Sequence, residues 1–380
     1  MKLIIGADLV PTPSNFDCFK NGKINEIIDA ELLLVLNDAD YRIFNLEVPL
    51  SDDIMPIDKC GPNLIAPIKS VKGIKAIGAN LLTLANNHIM DHGKEGFEST
   101  IKALKDNNMF YVGAGNTFED AEKSFVFNCN KKNIGVYACA ENEFTIVTDK
   151  FPGANPFDPL KSLSHIEQLK KECDYVIVLY HGGKEHYRYP SPNLQKVCRR
   201  IVDMGADLVV CQHSHCIGCE EKYKDGTIVY GQGNFLFDLS ESELWKTSLL
   251  IKLDENFEIS YIPLEKNRNG VKIASPDIGE KVLEEFKKRS EEIKEKDFVE
   301  KKYSEFVDSM IDSYLLMLLG VNTNNIFWRI LNKLTKRKFK SWYMRRKYKR
   351  SQLLAIQNFV ECEAHRELFV AGLKRKIKRL

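Results

Sequence analysis

Short apolar runs of strand length alternate with longer stretches of helical periodicity from the N-terminus to about residue 240, which confines the chain to an α/β fold around a buried sheet. Strands are expected at 2–8, 41–46, 81–85, 109–112, 124–127, 133–139, 174–180, 207–211 and 227–230. Helices are expected at 24–37, 67–77, 93–107, 160–171 and 192–204, where Pro192 suits a first turn because its missing N–H removes no bond there. Two more alternating stretches, 247–254 and 257–263, read as strands that close the domain. The composition then changes: residues 266–275 are polar with Asn and Gly, and from Asp277 onward Glu, Lys and Leu recur at helical spacing. The expected organisation is a domain over 1–268 and a helical extension with a basic tail over 269–380.

Several apolar runs stop abruptly at residues able to bind metal or move protons. Asp8 ends the first, Asn45-Leu46-Glu47 the second and Asn86-Asn87-His88 the third; His181 ends a later run, and His213-Ser214-His215 follows the next. Strand ends in an α/β fold are where a rigid scaffold delivers side chains to a crevice. Imidazole is the commonest metal-binding side chain. Two-metal hydrolytic sites need carboxylate, amide and imidazole ligands converging on cations roughly 3.5–4 Å apart, which together offset charge developing on the substrate. A lone His-x-His pair is weak evidence for such a site; an ordered set at one type of position is much stronger.

The strings Gly6-Ala7-Asp8, Phe44-Asn45-Leu46-Glu47-Val48-Pro49-Leu50, Leu84-Ala85-Asn86-Asn87-His88-Ile89-Met90-Asp91-His92-Gly93, Gly113-Ala114-Gly115-Asn116, His181-Gly182-Gly183-Lys184-Glu185-His186-Tyr187 and the run from Gly205-Ala206-Asp207 to Gly233-Asn234-Phe235 together resemble the CapA family of poly-gamma-glutamate capsule-biosynthesis proteins. The likeness covers roughly residues 1–265, and the family is similar in turn to the calcineurin-like metallophosphoesterases. It implies a four-layer α/β/β/α sandwich with the site at the strand ends, followed here by an α-helical C-terminal extension. Carried over by position, it implies Asp8 and His215 on one metal, Glu47 as a bridge, and Asn87, His181 and His213 on a second, with His88 as the acid that meets the substrate oxygen or leaving group. One or two divalent ions per chain, Mn, Fe or Zn, suit such mixed oxygen and nitrogen donors. Three positions depart from the phosphoesterase pattern: Val10 stands where a histidine follows the first aspartate, Glu47 replaces a bridging aspartate, and Cys211 replaces the glycine before the His-x-His pair. Val10 in particular should weaken the Asp8/His215 half.

Asp91, three residues after His88, either orients that ring or caps the helix starting near Gly93. Glu185 and His186 lie in a loop that could face substrate, and Glu185 is a candidate catalytic group. Asn234 either bonds a ligand histidine or shapes a turn. Cys211, Cys216 and Cys219 lack the second cysteine pair of a zinc ribbon, and strand burial accounts for Cys211.

The N-terminal Met-Lys-Leu-Ile-Ile-Gly-Ala-Asp has no apolar h-region, and the run 314–321 is far too short to span a bilayer, so a cytoplasmic location is expected. Scattered cysteines agree with it. Residues 331–380 carry 16 Lys or Arg against 3 Glu in a chain of net charge +2, so the body is acidic and the tail basic. The stretch 333–350 interleaves its cations with Phe339, Trp342, Tyr343 and Tyr348 and has no acid. Such mixtures bind phosphate-rich surfaces, and an anionic membrane or polymer is preferred over nucleic acid, which would show steeply salt-dependent binding. The leading reading is a metal-dependent, phosphoesterase-like hydrolase in capsule or anionic-polymer biosynthesis. The competing one is a non-catalytic polymer-binding or assembly factor, held beside a synthase at the inner membrane face by residues 331–380.

Overall fold

The computed structural model describes residues 2–129, 131–319, 330–331, 333–335 and 338–377. The chain divides into two compact units, the first ending at Glu300 and the second beginning at Lys301.

The first unit holds two large sheets. Its strands are β1 (Leu3–Val10), β2 (Tyr41–Leu46), β3 (Leu81–Thr83), β4 (Phe110–Val112), β5 (Ala114–Gly115), β6 (Phe125–Cys129), β7 (Lys132–Ala140) and β8 (Gly153–Ala154). They continue with β9 (Tyr175–His181), β10 (Leu208–Gln212), β11 (Glu220–Tyr223), β12 (Gly226–Tyr230), β13 (Asn234–Phe237), β14 (Thr247–Leu253), β15 (Ile259–Asn267) and β16 (Gly270–Ile273). The first sheet runs β16-β15-β14-β1-β2-β3-β4 with β13 also paired to β1, and the second runs β11-β12-β10-β9-β7-β6. β1, β2, β3 and β4 are parallel, as are β7, β9, β10 and β12. β1 is buried along its whole length, which explains why 3–7 read as a continuous apolar run: a parallel strand covered on both faces loses the polar alternation of a half-exposed one.

Alternate residues of the second sheet serve different cores. Ile134, Val136, Ile177, Leu179, Leu208 and Val210 join Leu3, Ile5, Ile43 and Phe44 in one apolar core shared by both sheets. Their neighbours Tyr137, Cys139, Val176, Val178, Val209 and Cys211 instead pack with helices, as the two-residue period of a strand requires. Those helices are α6 (Ser162–Glu172), through Ile166 and Leu169, and α7 (Pro192–Asp203), through Leu194, Cys198 and Ile201. On the first sheet lie α1 (Phe16–Asn21), α2 (Ala30–Asn37), α3 (Val71–Ala76) and α4 (Gly93–Asp106), burying Phe19, Leu32, Leu36, Ile74, Phe97 and Leu104; α5 (Phe118–Ala121) is a single turn. Each such side chain contributes about 1.5–3 kcal/mol on burial. The result is the four-layer α/β/β/α sandwich that the family resemblance implied.

Three sequence expectations need correction. The first unit does not stop near residue 268: the polar stretch there is a tight hairpin pairing Asn267 with Gly270, and α8 (Pro276–Glu292) then buries Val282 and Phe286, the latter 4.7 Å from the Tyr261 ring. The expected helix 24–37 is broken, because Asp29 Oδ1 accepts a hydrogen bond from Leu32 N at 3.1 Å and starts α2 afresh. β11, β13 and β16 were not anticipated, being four residues each and too short for a clear two-residue alternation.

Among its described residues the second unit has no strand; it continues α9 (Phe298–Leu318) and adds helices Lys338–Lys347, Arg350–Glu361 and Glu363–Ile377. Lys336, Arg337 and residues 378–380 of the basic tail, and 320–321 of the apolar run, lie outside the described residues. No helix among the described residues is long and apolar enough to cross a membrane.

Candidate functional site

The parallel registers bring the strand ends of both sheets to one place. Asp8 pairs across β1–β2 with Asn45, so Glu47 follows just beyond; Gln212 pairs with His181 across β10–β9, so His213 and His215 follow in turn. Asp8, Glu47 and His215 form one group, and Glu47, His181 and His213 another; within each, three ligand atoms lie within 4.8 Å of one another and every residue is buried. His181 Nε2 is 3.4 Å from Glu47 Oε1, His215 Nδ1 is 3.4 Å from Asp8 Oδ2, and His213 Nδ1 is 3.2 Å from His181 Nε2. Asn87 joins the second group, its Oδ1 2.9 Å from His181 Nε2. His213 and His215 both adopt left-handed backbone, at φ +88° and +51°, a strain that non-glycine residues keep where the surroundings enforce it, often at functional sites.

A ring of amides holds these side chains. Asn45 Nδ2 donates to Asp8 Oδ1 at 2.8 Å and lies 3.3 Å from His181 Nδ1, while Asn86 Nδ2 donates to Asn45 Oδ1 at 3.0 Å and to the Leu46 carbonyl at 2.9 Å. Asn234 Oδ1 is 2.9 Å from His215 Nδ1, so this asparagine bonds a histidine as well as shaping the chain after Gly233. Asn45 is a part of the site that sequence reasoning did not single out, although it sits in the polar cluster ending β2. Gly6 allows the close packing beneath: a Cβ there would lie 2.2 Å from ring carbons of Phe44.

The donor set suits divalent cations. Asp8 Oδ2 and both Glu47 oxygens are buried without a hydrogen-bond partner, having only imidazoles at ion-pair distance, and buried carboxylate oxygens left so are costly unless a cation meets them. Burial and the nearby Glu47 raise the Asp8 carboxyl above its ordinary range, against the pull of His215. Burial also works to raise Glu47, but His181 and His215 outweigh it and hold Glu47 well below the usual carboxylate range. His213 is driven well below the ordinary histidine value by burial, then by His181 and His215. For His215 burial acts downward too, yet Glu47, Asp8 and the Asn234 bond overcome it and push the group up to about 9.

The other candidates fall around this centre. His88 Nδ1 is 2.6 Å from Asp91 Oδ2, and Asp91 is fully buried, so it serves the ring and not the helix; α4 starts after His92, which makes no side-chain cap. Glu185 stays at the margin, its side chain 42% exposed and its Oε1 3.9 Å from His213 Nε2. Val10 is buried in β1 opposite Phe237 of β13, and on that side the His215 ring meets Phe237 at 5.4 Å and Trp245 at 4.9 Å. Trp245 Nε1 donates to His186 Nε2 at 3.1 Å; sequence reasoning gave no sign of this tryptophan. Among the described residues no cysteine joins a metal-type cluster: Cys211 lies 3.5 Å from Cys198, sulfur to sulfur, in the apolar core under α7.

Residues 13–239 match the family described as "Bacterial capsule synthesis protein PGA_cap". The chain belongs to that family. Within it, the chain is similar to the capsule biosynthesis protein CapA of Bacillus anthracis, 36% identical over 212 residues that make up 53% of this chain and 52% of that protein. It is also similar to the PGA biosynthesis protein CapA of Bacillus subtilis (strain 168), 32% identical over 213 residues, or 54% and 55%. The chain thus spans about half the length of these PGA_cap relatives. Among solved structures, a novel phosphatase from Mycoplasma pneumoniae aligns with a TM-score of 0.45 at 16% identity, over 70% of this chain and 94% of that one.

Proposed function

We propose that the chain is a metal-dependent phosphoester hydrolase that serves the biosynthesis of a capsule or other anionic polymer, of poly-gamma-glutamate or polysaccharide type. The observation that carries this reading is the pair of buried three-ligand groups sharing Glu47, whose oxygens have imidazole at ion-pair distance and no hydrogen-bond partner, beside the hydrogen-bonded His88 and Asp91. Asp8, Glu47 and His215 would hold one divalent ion, and Glu47, Asn87, His181 and His213 a second. Mn, Fe or Zn suits these donors, and when bound such ions supply Lewis acidity and positive charge against the charge developing on phosphoryl oxygens. The chain's own residues do the rest. Asn45 and Asn234 orient Asp8 and His215, burial keeps bulk water from the ligands, and Asp91 accepts the His88 Nδ1 hydrogen, so that in the imidazolium form the second hydrogen, on Nε2, passes to the departing oxygen and leaves a neutral imidazole. The names of the CapA relatives support the polymer setting. Purified protein supplied with Mn should hydrolyse simple phosphomonoesters or diesters, and His88→Ala should lower kcat by about 10²–10⁴-fold. Absence of divalent-ion binding, or turnover indifferent to His88→Ala, contradicts the reading.

A second reading, a non-catalytic polymer-binding or assembly factor at the inner membrane face, is favoured by Val10 in place of a further histidine, by the packing of Phe237 and Trp245 against His215, and by the basic tail. In the tail helix Lys338–Lys347 the Arg346 guanidinium lies 4.8 Å over the half-exposed Trp342 ring, a mixture suited to anionic headgroups. On this reading the full chain sediments with anionic vesicles and a chain lacking 331–380 does not. Unchanged sedimentation of the shortened chain counts against it.

A further inference from the structure

Lys59 lies outside both three-ligand groups, yet its side chain is only 3% exposed and its ammonium is paired with Asp91. The segment carrying it leaves β2 and folds over the turn 87–92. Ile57 N donates to the Asp91 carbonyl at 3.0 Å, Met55 N to His92 Nδ1 at 2.9 Å and Leu64 N to Asp91 Oδ2 at 2.6 Å. Lys59 Nζ pairs with Asp91 Oδ1, donates to the Asn87 carbonyl at 3.3 Å and lies 3.2 Å from His88 Nδ1. A lysine is almost never buried unless paired, and all three of these neighbours belong to the turn that carries Asn87 and His88.

Donor inventory fixes where the hydrogens go. The 2.6 Å approach of His88 Nδ1 to Asp91 Oδ2 needs a hydrogen between them, and an ionised carboxylate has none to give, so Nδ1–H donates. The ammonium has no acceptor capacity, so its hydrogens serve Asp91 Oδ1 and the Asn87 carbonyl, and its distance to Nδ1 is proximity alone. Asp91 is thereby divided: Oδ1 answers to Lys59, while Oδ2 is left for His88 and Leu64. We propose that Lys59 is a positioning residue of the site, holding Asp91 in the orientation that keeps one His88 hydrogen on Nδ1 and leaves Nε2 for the substrate, where the second hydrogen of the imidazolium passes to the departing oxygen. The same ammonium steadies the backbone of Asn87, whose side chain meets His181 at 2.9 Å. A mere staple for the segment would be redundant, since Ile57 N and Leu64 N already pin it to Asp91. The catalytic consequence rests on the phosphoester reading; the placement of the hydrogen does not.

The test uses the full chain and Lys59→Met, which keeps the length of the stem and removes the charge and its N–H groups. In metal-free protein with nitrogen-15 histidine, the His88 imidazole, assigned by its loss in His88→Gln, should carry its proton on Nδ1, and Lys59→Met should displace or abolish that signal. An unchanged signal overturns the proposal. So does a wild-type His88 protonated only on Nε2, a result that needs no folded variant. With Mn present, Lys59→Met should lose at least about tenfold more turnover on an alkyl phosphate than on p-nitrophenyl phosphate, whose leaving group needs little proton assistance. Equal losses on both overturn the proposal. Absence of turnover in the wild type counts against the phosphoester reading alone and leaves the imidazole spectra to decide on Lys59.

Discussion

His213 and His215 are two residues apart on one strand end and share left-handed backbone, yet burial drives His213 well below the ordinary histidine range while Glu47, Asp8 and Asn234 push His215 up to about 9. The first imidazole is neutral near pH 7 and offers a lone pair. The second holds a proton that an incoming cation must displace. Surroundings divide the same way: His213 faces His181, a further imidazole, whereas His215 has the Phe237 and Trp245 rings on its flank. Two residues of one motif can therefore be prepared for unequal binding, the difference arising from acidic partners and packing and not from residue type.

The largest effect should come from the residue both halves share. Glu47→Gln removes the common carboxylate and one of the charges that hold the His215 proton, so divalent affinity should fall at least about 100-fold in both halves, read by calorimetry. Loss confined to one half would break the account of Glu47 as shared. Next in size is stability of the metal-free protein. The folded His215 value lies above the ordinary 6.5, so its stabilisation is complete below pH 6.5 and is lost as pH rises through about 9. That loss should amount to about 3 kcal/mol in urea unfolding between these limits, and His215→Gln should flatten it. Binding should show the same asymmetry. Between pH 6.5 and 9 affinity in the His215 half should rise by up to about tenfold per pH unit, while His213 adds no such dependence. Smallest is Asn234→Ala, which should weaken only the His215 half, by about tenfold.

Much of this arrangement is legible in the sequence, for a definite reason. Parallel strands covered on both faces are nearly continuous apolar runs, so a polar residue late in such a run or just after it points to the crevice; that signal picks out Asp8, Glu47, Asn87, His181, His213 and His215 as candidates, and the structure brings them together. What escapes is nonlocal. Lys59 sits in an aperiodic segment and acquires its meaning from Asp91 and Asn87, while Trp245 lies in a short turn and meets His186 across the chain. The boundary near 268 misled because a hairpin and a linker share polar, Asn- and Gly-bearing composition, and only the pairing of β15 with β16 separates them. The helix expected over 24–37 misled because apolar spacing continues through Asp29, whose side chain restarts the helix.

The central claim is a two-metal centre with unequal halves joined at Glu47. Titration of the metal-free full chain with Mn by calorimetry near pH 7 tests it most directly. The account predicts two binding events per chain of different affinity, the tighter lost in His213→Ala and the weaker lost in His215→Ala. No binding, or a single event that neither substitution alters, would contradict it.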